Sequence, residues 1–271
     1  MIRFNGIEIA QGHFPDNTLM MKIEKEVYDS LDNNQISLVD WFYENDAELF
    51  TLICLRKHFA GMDMALYMPY CPHARMDRVK NPEDVFTLKF FAETLNSLNF
   101  NLVFCDDVHS NVAAALINNF YHIDPTYGSA KIAYEFVKDT SDDEVVVCFP
   151  DEGAMKRYSD SLGLPYAFGI KKRDWETGKI MGLELMNKEL VAGKDVLIVD
   201  DICSRGGTFY HTAKALKDAG AKKVYLYVTH CEGTVLKGDL PDSGLIEHIF
   251  TTKSIFPRNI ETEFVSFIEN I

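Results

Sequence analysis

Short apolar runs alternate with amphipathic stretches along most of the chain, a pattern that is typical of an α/β protein. The apolar runs are too continuous for strands with one solvated face and predict strands covered on both faces, at 64–68, 101–105, 144–149, 166–170, 196–199 and 224–228. Apolar residues at helical spacing predict helices at 44–59, 86–98, 132–137, 155–162 and from 209 to the glycine at 220. This order of elements predicts mainly parallel sheets flanked by helices.

The two ends and the middle of the chain show weaker patterns. Short strands are predicted at 2–4, 7–9, 18–23 and 249–255, and a final helix within about 258–271. The stretch 121–129 contains Pro125 and Gly128 and predicts a connection between two lobes. We therefore expect an N-terminal domain at 1–128 and a C-terminal domain at 129–271, with the final helix packed back on the N-terminal lobe as one arrangement.

Length and composition narrow the class of protein. The chain has 271 residues, of which 47% are hydrophobic, enough for two cores. Its formal net charge of −14 argues against nucleic acid or an anionic membrane as the main partner. The six cysteines form no Cys-x-x-Cys pair, and no apolar run approaches the ~20 residues of a membrane span. We expect a cytoplasmic protein with no signal segment.

Two acids and two glycines join the strand at 196–199 to the helix that follows. Asp200 and Asp201 suit two neighbouring sugar hydroxyls or a hydrated cation, and Gly206 and Gly207 allow backbone N–H groups to approach an anion. Thr208 is predicted to cap the helix. The pattern predicts a phosphate-binding loop, with an ordinary solvated turn as the alternative.

A cationic loop follows the strand at 64–68. Arg75 and Arg78 flank Asp77 and could hold nucleotide phosphates, with the acid orienting one guanidinium group. The alternative is a solvated loop with a local salt bridge.

Three further polar segments follow predicted strands. His109 stands beside two aspartates and could bind a divalent ion, although a lone histidine is more often a structural donor. Asp151 is, taken alone, a turn aspartate before a helix. The cations of Lys171 to Arg173 suggest a mobile basic flap that extends to Gly178, whereas a solvated charge run is the usual explanation.

Together these motifs resemble the ribose-phosphate pyrophosphokinase family. The loop after the strand at 196–199 is similar to the family's loop for phosphoribosyl diphosphate (PRPP), which type I phosphoribosyltransferases share and which reads Asp-Asp-x-x-Asp-Thr-Gly-Gly-Thr. Ser204 and Arg205 replace its third acid and first threonine. The segment from Tyr67 to Arg78 resembles Tyr-x-x-Tyr-Ala-Arg-Gln-Asp-Arg, with three residues inserted and a methionine for the glutamine.

The other motifs resemble the family less specifically. Asp107-Val-His109 is similar to its Asp-x-His segment, Pro150-Asp151 to its Ser-Pro-Asp segment, and Lys171-Lys-Arg173 to its Lys-x-Arg loop. Phe14 to Thr18 resembles the Phe-x-Asp-Gly-Glu loop, which contacts the adenine of ATP bound to a neighbouring subunit, although a simple β-turn explains it equally well.

The resemblance implies two phosphoribosyltransferase-like α/β domains and an enzyme of nucleotide biosynthesis. Such an enzyme transfers the diphosphoryl group of ATP to the anomeric hydroxyl of ribose 5-phosphate, giving PRPP and AMP. The implied catalytic residues are Lys171 and Arg173, and the implied Mg²⁺ ligands are His109 and Asp151. The implied ATP-binding residues are Phe14, Asp16, Arg75, Asp77 and Arg78, and those for ribose and phosphate are Asp200, Asp201, Ser204, Arg205, Gly206, Gly207 and Thr208. A homo-oligomer, a dimer or larger, is also implied.

Three alternatives stay open. The first is the same transfer to ADP-ribose, whose 5-diphosphate Arg205 could accommodate, in a route of NAD salvage. The second is a non-catalytic regulatory subunit, which the retained Lys171, Arg173 and His109 disfavour. The third is a phosphoribosyltransferase, which needs no ATP lobe and is disfavoured by Arg75 and Arg78.

Overall fold

The computed structural model describes residues 1–32, 34–173 and 180–268, with the side chains of 171–182 outside the description. Within it the chain divides into two compact units, Met1–Ile123 and Asp124–Ile271. Both contain a mainly parallel sheet flanked by helices, so the predicted α/β class is confirmed. None of the described helices is long and apolar enough to span a bilayer.

The N-terminal unit is built on a six-stranded sheet in its described residues, with the order β2-β1-β5-β6-β7-β8. Strands β5 to β8 run parallel, whereas β1 pairs antiparallel with β2 and β5, and β3 and β4 form a separate hairpin. The elements in chain order are β1 (Ile2–Phe4), β2 (Ile7–Glu8), β3 (Gln11–His13), β4 (Leu19–Met21), α1 (Lys25–Asp29), β5 (Ser37–Trp41), α2 (Ala47–His58), β6 (Met64–Met68), α3 (Thr87–Asn96), β7 (Leu102–Asp106), α4 (Asn111–Leu116) and β8 (Phe120–Ile123).

One core holds this unit together, because helices α2, α3 and α4 pack on one face of its sheet. The core joins Leu52 and Phe91 of the helices to Trp41, Leu66 and Val103 of the strands. The sequence pattern predicted β6, β7, α2 and α3 but not β5. In β5 the polar Ser37 and Asp40 interrupt a run of only five residues, so neighbouring strands rather than local pattern define it.

The C-terminal unit contains a seven-stranded sheet in its described residues, with the order β11-β10-β9-β12-β13-β14-β15. Only β11, at one edge, runs antiparallel to its neighbour. A short 3-10 helix at Pro125–Tyr127 opens the unit, and two others lie at Lys188–Leu190 and Gly233–Lys237. The elements are α5 (Ser129–Thr140), β9 (Val145–Phe149), α6 (Glu152–Leu162), β10 (Tyr166–Arg173), β11 (Ile180–Met186), β12 (Asp195–Cys203), α7 (Gly207–Asp218), β13 (Val224–Cys231), α8 (Leu240–Ser243), β14 (His248–Thr251) and β15 (Val265–Phe267).

Strand β12 lies at the centre of this unit, and helices cover both faces of the sheet. Leu197 and Val199 face the core formed with α5 and α6, whereas Val196 and Ile198 face the core formed with α7. All four are at most 1% exposed, which confirms the prediction drawn from their uninterrupted apolar run.

The final helix predicted within 258–271 is wrong for the residues that the structure describes. Val265–Phe267 form β15, which lies parallel to β14 in the sheet of the C-terminal unit. Val265 is buried there, and a β-branched residue with aromatic neighbours favours a strand once an open sheet edge is available. Residues 269–271 lie outside the described part of the chain.

The stretch 121–129, predicted to be a connection, contains the division between the two units, after Ile123. Regular structure lies on both sides of that division. Phe120–Ile123 form strand β8, and Asp124 caps the following 3-10 helix by accepting a hydrogen bond from the Thr126 N–H at 2.8 Å. The predicted domain boundary at 128 lies just beyond that helix.

We predict that Leu197→Ala lowers the free energy of unfolding by about 2–5 kcal/mol, because it leaves a cavity between β12 and the two helices of its core. Denaturant unfolding followed by circular dichroism measures the change. Leu38→Ala, at a position that is 39% exposed, is the matched control and should cost much less. Equal losses in the two variants would contradict this view of the core.

Candidate active site

The two acids after the apolar run lie within strand β12, not beyond its end as the pattern predicted. Pairing with β13 continues to Cys203, opposite Cys231, because the polar residues still make ladder hydrogen bonds. Asp200 is half-buried and Asp201 is buried. A continued strand fixes both carboxylates more firmly than a loop would.

Asp201 forms an ion pair that sequence reasoning missed. Arg157, on α6, places a guanidinium nitrogen 3.3 Å from a carboxylate oxygen of Asp201. The same guanidinium group lies over the ring of Tyr158, which is almost fully buried. The sequence offered no signal for Arg157 beyond its place in the helix that follows Asp151, since only the fold brings α6 against β12.

The charged form of Asp200 is disfavoured by its surroundings. Burial raises the pKa of its carboxyl group well above the usual range, and the neighbouring charge of Asp201 adds to the rise in pKa, with a smaller contribution from Asp151. Asp151 caps α6, accepting hydrogen bonds from the N–H groups of Gly153 and Ala154 at 2.9 and 3.1 Å. Asp151 is therefore the helix cap that the sequence left open as an alternative, and also a neighbour of Asp200.

The predicted phosphate-binding loop connects β12 to the start of α7. Gly206 has a φ of +82°, and a Cβ atom there would lie 2.3 Å from the side chain of Leu240, so both backbone and packing require glycine. Helix α7 begins at Gly207. Its first N–H groups have no helical partner and are suited to an anion.

The helix cap predicted at Thr208 is wrong. Gly206 occupies the cap position, without a side-chain hydrogen bond, and Thr208 already lies in the first turn. The helix begins two residues earlier than the hydroxyl pattern suggested, because Gly206 at the cap adopts the left-handed conformation. Arg205, Gly207 and Thr208 are exposed.

In the N-terminal unit, Asp77 organises the cationic loop. The Arg78 guanidinium group donates two hydrogen bonds to its carboxylate, at 2.5 and 2.7 Å, in the bidentate geometry that the residue pattern suggested. These bonds lower the pKa of Asp77 to about 2, and Ser110 and the charge of His109 also favour the ionised form. The structure thus brings Arg78, Asp77 and His109 together, while Arg75 is exposed.

The segment that resembles an adenine loop is the turn of the β3–β4 hairpin. Asp16 accepts hydrogen bonds from the backbone N–H and the hydroxyl of Thr18, at 3.0 and 2.7 Å, so its carboxylate stabilises the turn. Phe14 is 51% exposed at the tip. This geometry is what the β-turn alternative describes, and it leaves the aromatic ring accessible.

The predicted basic flap begins on strand β10, because the backbone of Lys171 and Arg173 pairs with β11. Their side chains, and residues 174–179, lie outside the described part of the chain.

In the part of the chain that the structure describes, no group of three or more His, Cys, Asp or Glu side chains is arranged to hold a metal ion. Of the two predicted metal ligands, His109 belongs to the N-terminal unit and Asp151 to the C-terminal unit.

Comparison with known proteins identifies the class of the C-terminal unit. Residues 126–258 match the family model described as phosphoribosyl transferase domain. The computed fold resembles the crystal structure of phosphoribosylpyrophosphate synthetase from Mycobacterium smegmatis with a TM-score of 0.74, covering 96% of this chain and 85% of that one at 18% identity. At this identity the likeness concerns the fold alone.

Sequence relatives specify the family further. The ribose-phosphate pyrophosphokinase of Chlorobaculum tepidum is 30% identical over 238 residues, which are 84% of this chain and 69% of that protein. The enzyme of the same name from Bacillus caldolyticus is 30% identical over 263 residues, 92% of this chain and 79% of its own length. The chain belongs to the ribose-phosphate pyrophosphokinase family.

We predict that Asp200→Asn raises the free energy of unfolding of the ligand-free protein at pH 8, because it removes a charge that is disfavoured beside two acids. The folded pKa lies above the unfolded one, so the cost of ionisation is present at high pH and disappears as the pH falls. The gain should therefore shrink toward acid.

Denaturant unfolding of both proteins across a pH series measures this effect. Asp139→Asn, at an exposed position on α5, is the control and should change little. A gain that is independent of pH would show that charge is not its cause.

Proposed function

We propose that this protein is an ATP-dependent diphosphotransferase that transfers the diphosphoryl group of ATP to the anomeric hydroxyl of ribose 5-phosphate, giving PRPP and AMP. One observation carries the proposal within the family: the carboxylates of Asp200 and Asp201 lie directly before a glycine loop at the start of α7. Acids for sugar hydroxyls and N–H groups for a phosphate therefore adjoin on one chain segment.

The acceptor side follows from that segment. In this proposal Asp200 and Asp201 hold the ribose hydroxyls, and Ser204 to Thr208 hold the 5-phosphate. Arg157 keeps Asp201 in place through its ion pair. Rigid placement matters because catalysis of phosphoryl transfer rests on positioning and charge neutralisation.

The ATP side is proposed for the N-terminal unit. Arg78, oriented by Asp77, and the exposed Arg75 would bind phosphates, since a guanidinium held on one edge keeps donors free for a second anion. Phe14 and Asp16 would contact the adenine of ATP bound to a second copy in a homo-oligomer. The exposed ring of Phe14 supports such a contact.

Magnesium fits the donors that are present. It prefers oxygen ligands and keeps several waters, so Asp151, with Asp200 and Asp201 nearby, suits an ion that is mostly hydrated or bound to phosphate. His109, in the N-terminal unit, stays a magnesium ligand implied by the family resemblance. A bound ion would offset charge on the phosphates, as would Lys171 and Arg173.

All six cysteines are free thiols, which agrees with a reducing cytoplasm.

ADP-ribose is the second candidate acceptor, and Arg205 is the residue that favours it. Its side chain is exposed in the loop, at a position where the family motif has threonine, and it adds a positive charge that a 5-diphosphate would use. The product would be a diphosphorylated ADP-ribose in a route of NAD salvage.

One assay tests the proposal and separates the acceptors. The protein is incubated with ATP and a magnesium titration, with ribose 5-phosphate or ADP-ribose, and AMP release is measured. We expect magnesium-dependent AMP release with ribose 5-phosphate. Release with ADP-ribose alone would select the second acceptor, and release with neither would overturn both.

We predict that Arg205→Thr lowers kcat/KM for ADP-ribose by about ten- to a hundredfold and changes that for ribose 5-phosphate less, since a charge-assisted contact to the second phosphate is lost. Steady-state kinetics with each acceptor measures the ratio. Lys214→Thr, which removes an exposed cation farther along α7, is the control. Equal effects on both acceptors would remove the support for ADP-ribose.

A further inference from the structure

Glu232, the residue that directly follows β13, contacts the predicted phosphate-binding loop. Its carboxylate accepts a hydrogen bond from the hydroxyl of Ser204 at 2.6 Å and a second, on its other oxygen, from the hydroxyl of Thr234 at 3.0 Å. Ser204 stands at the position where the family motif has its third acid. A carboxylate is therefore present beside the loop, although the loop itself has lost one.

We infer that Glu232 supplies the negative charge that Ser204 no longer provides, and that it is a positioning residue for the phosphate-binding loop. The identity of the ligand in this inference rests on the proposed function, whereas the contacts of Glu232 do not depend on it.

The sheet places these two residues side by side. Cys203 of β12 pairs directly with Cys231 of β13, so Ser204 and Glu232 leave the sheet at the same level. The N–H of Glu232 donates to the carbonyl of Cys203 at 2.8 Å, which extends the ladder by one bond. The pairing of β12 with β13 thus places the side chains of Ser204 and Glu232 next to each other.

The segment after Glu232 packs against the back of the loop. A Cβ atom on Gly238 would lie 2.0 Å from the carbonyl oxygen of Arg205, and one on Gly206 would lie 2.3 Å from Leu240. Neither position has space for a methyl group. Glu232 directly precedes the segment against which the loop packs.

This arrangement predicts that the family's acid cannot simply be restored. Ser204→Asp would put a second carboxylate beside that of Glu232, where two like charges repel each other. An acid at position 204 therefore requires that the negative charge at position 232 be removed. In Ser204→Asp with Glu232→Gln, the amide can donate to the new carboxylate, so the single negative charge and the hydrogen bond both return.

Calorimetric titration of the full chain with ribose 5-phosphate, and separately with inorganic phosphate, tests this inference without depending on turnover. We expect Ser204→Asp to weaken binding by about ten- to a hundredfold. Glu232→Gln should weaken binding by only about a few-fold, because its amide oxygen still accepts the hydrogen bond from Ser204. The double variant should bind within about threefold of the wild type. In steady-state kinetics, Ser204→Asp should raise KM for the acceptor and leave kcat unchanged.

Glu247→Gln is the charge-matched control, because it removes one exposed carboxylate outside the loop, just before β14. Thermal melting of each variant checks that the fold is retained, and if Ser204→Asp alone does not fold, rescue of folding by Glu232→Gln is the equivalent result.

Additive losses in the double variant, or a Ser204→Asp variant that binds as the wild type does, would overturn the inference. Binding of ribose 5-phosphate without AMP release from any acceptor would overturn the proposed function alone. A wild type that binds neither ribose 5-phosphate nor phosphate would overturn both.

Discussion

Three neighbouring carboxylates near the centre of one sheet, of which Asp201 is buried, are the constraint on which the candidate site of the C-terminal unit depends. Asp200 lies beside Asp201 and near Asp151, so its ionised form is disfavoured in the ligand-free protein. The surroundings reduce this cost by fixing the other two acids: Arg157 pairs with Asp201, and the N-terminus of α6 accepts Asp151 as its cap. The remaining unfavourable charge is the kind that a bound cation or hydroxyl groups would relieve.

In the N-terminal unit a buried carboxylate holds a cationic side chain in place. Asp77 is buried and takes two hydrogen bonds from Arg78, so the guanidinium group keeps one orientation although it is itself more than half exposed. His109 and Ser110 add to the stabilisation of that carboxylate. Each unit thus contains an ion pair with one buried carboxylate, Asp77 in the N-terminal unit and Asp201 in the C-terminal unit. The ion pair orients Arg78 in the first case and holds Asp201 in the second, and both residues are ones to which we assign substrate binding.

The loop departures at Ser204 and Arg205 change meaning once the structure is considered. From the motif alone, the loss of an acid and the gain of a cation look like a net shift of two charges toward a more anionic ligand. We infer that Glu232, which directly follows β13, supplies one of these negative charges through the hydrogen bond that its carboxylate accepts from Ser204. The remaining difference in charge from the family motif is Arg205, the residue on which our proposal of a second acceptor rests.

The sequence by itself determined the α/β class and the central strands, because continuous apolar runs are local signals that few other structures satisfy. Its strand-end motifs predicted the candidate site residues, and the roles of those residues stay predictions. It could not place Arg157 against Asp201 or Glu232 against Ser204, since these pairs are 44 and 28 positions apart (201 − 157 and 232 − 204) and meet only when α6 and β13 pack beside β12. Tertiary structure likewise decided the strand at Val265–Phe267, where an open sheet edge outweighed a weak helical pattern. Local pattern fixes what each segment can form, and long-range pairing selects among those forms.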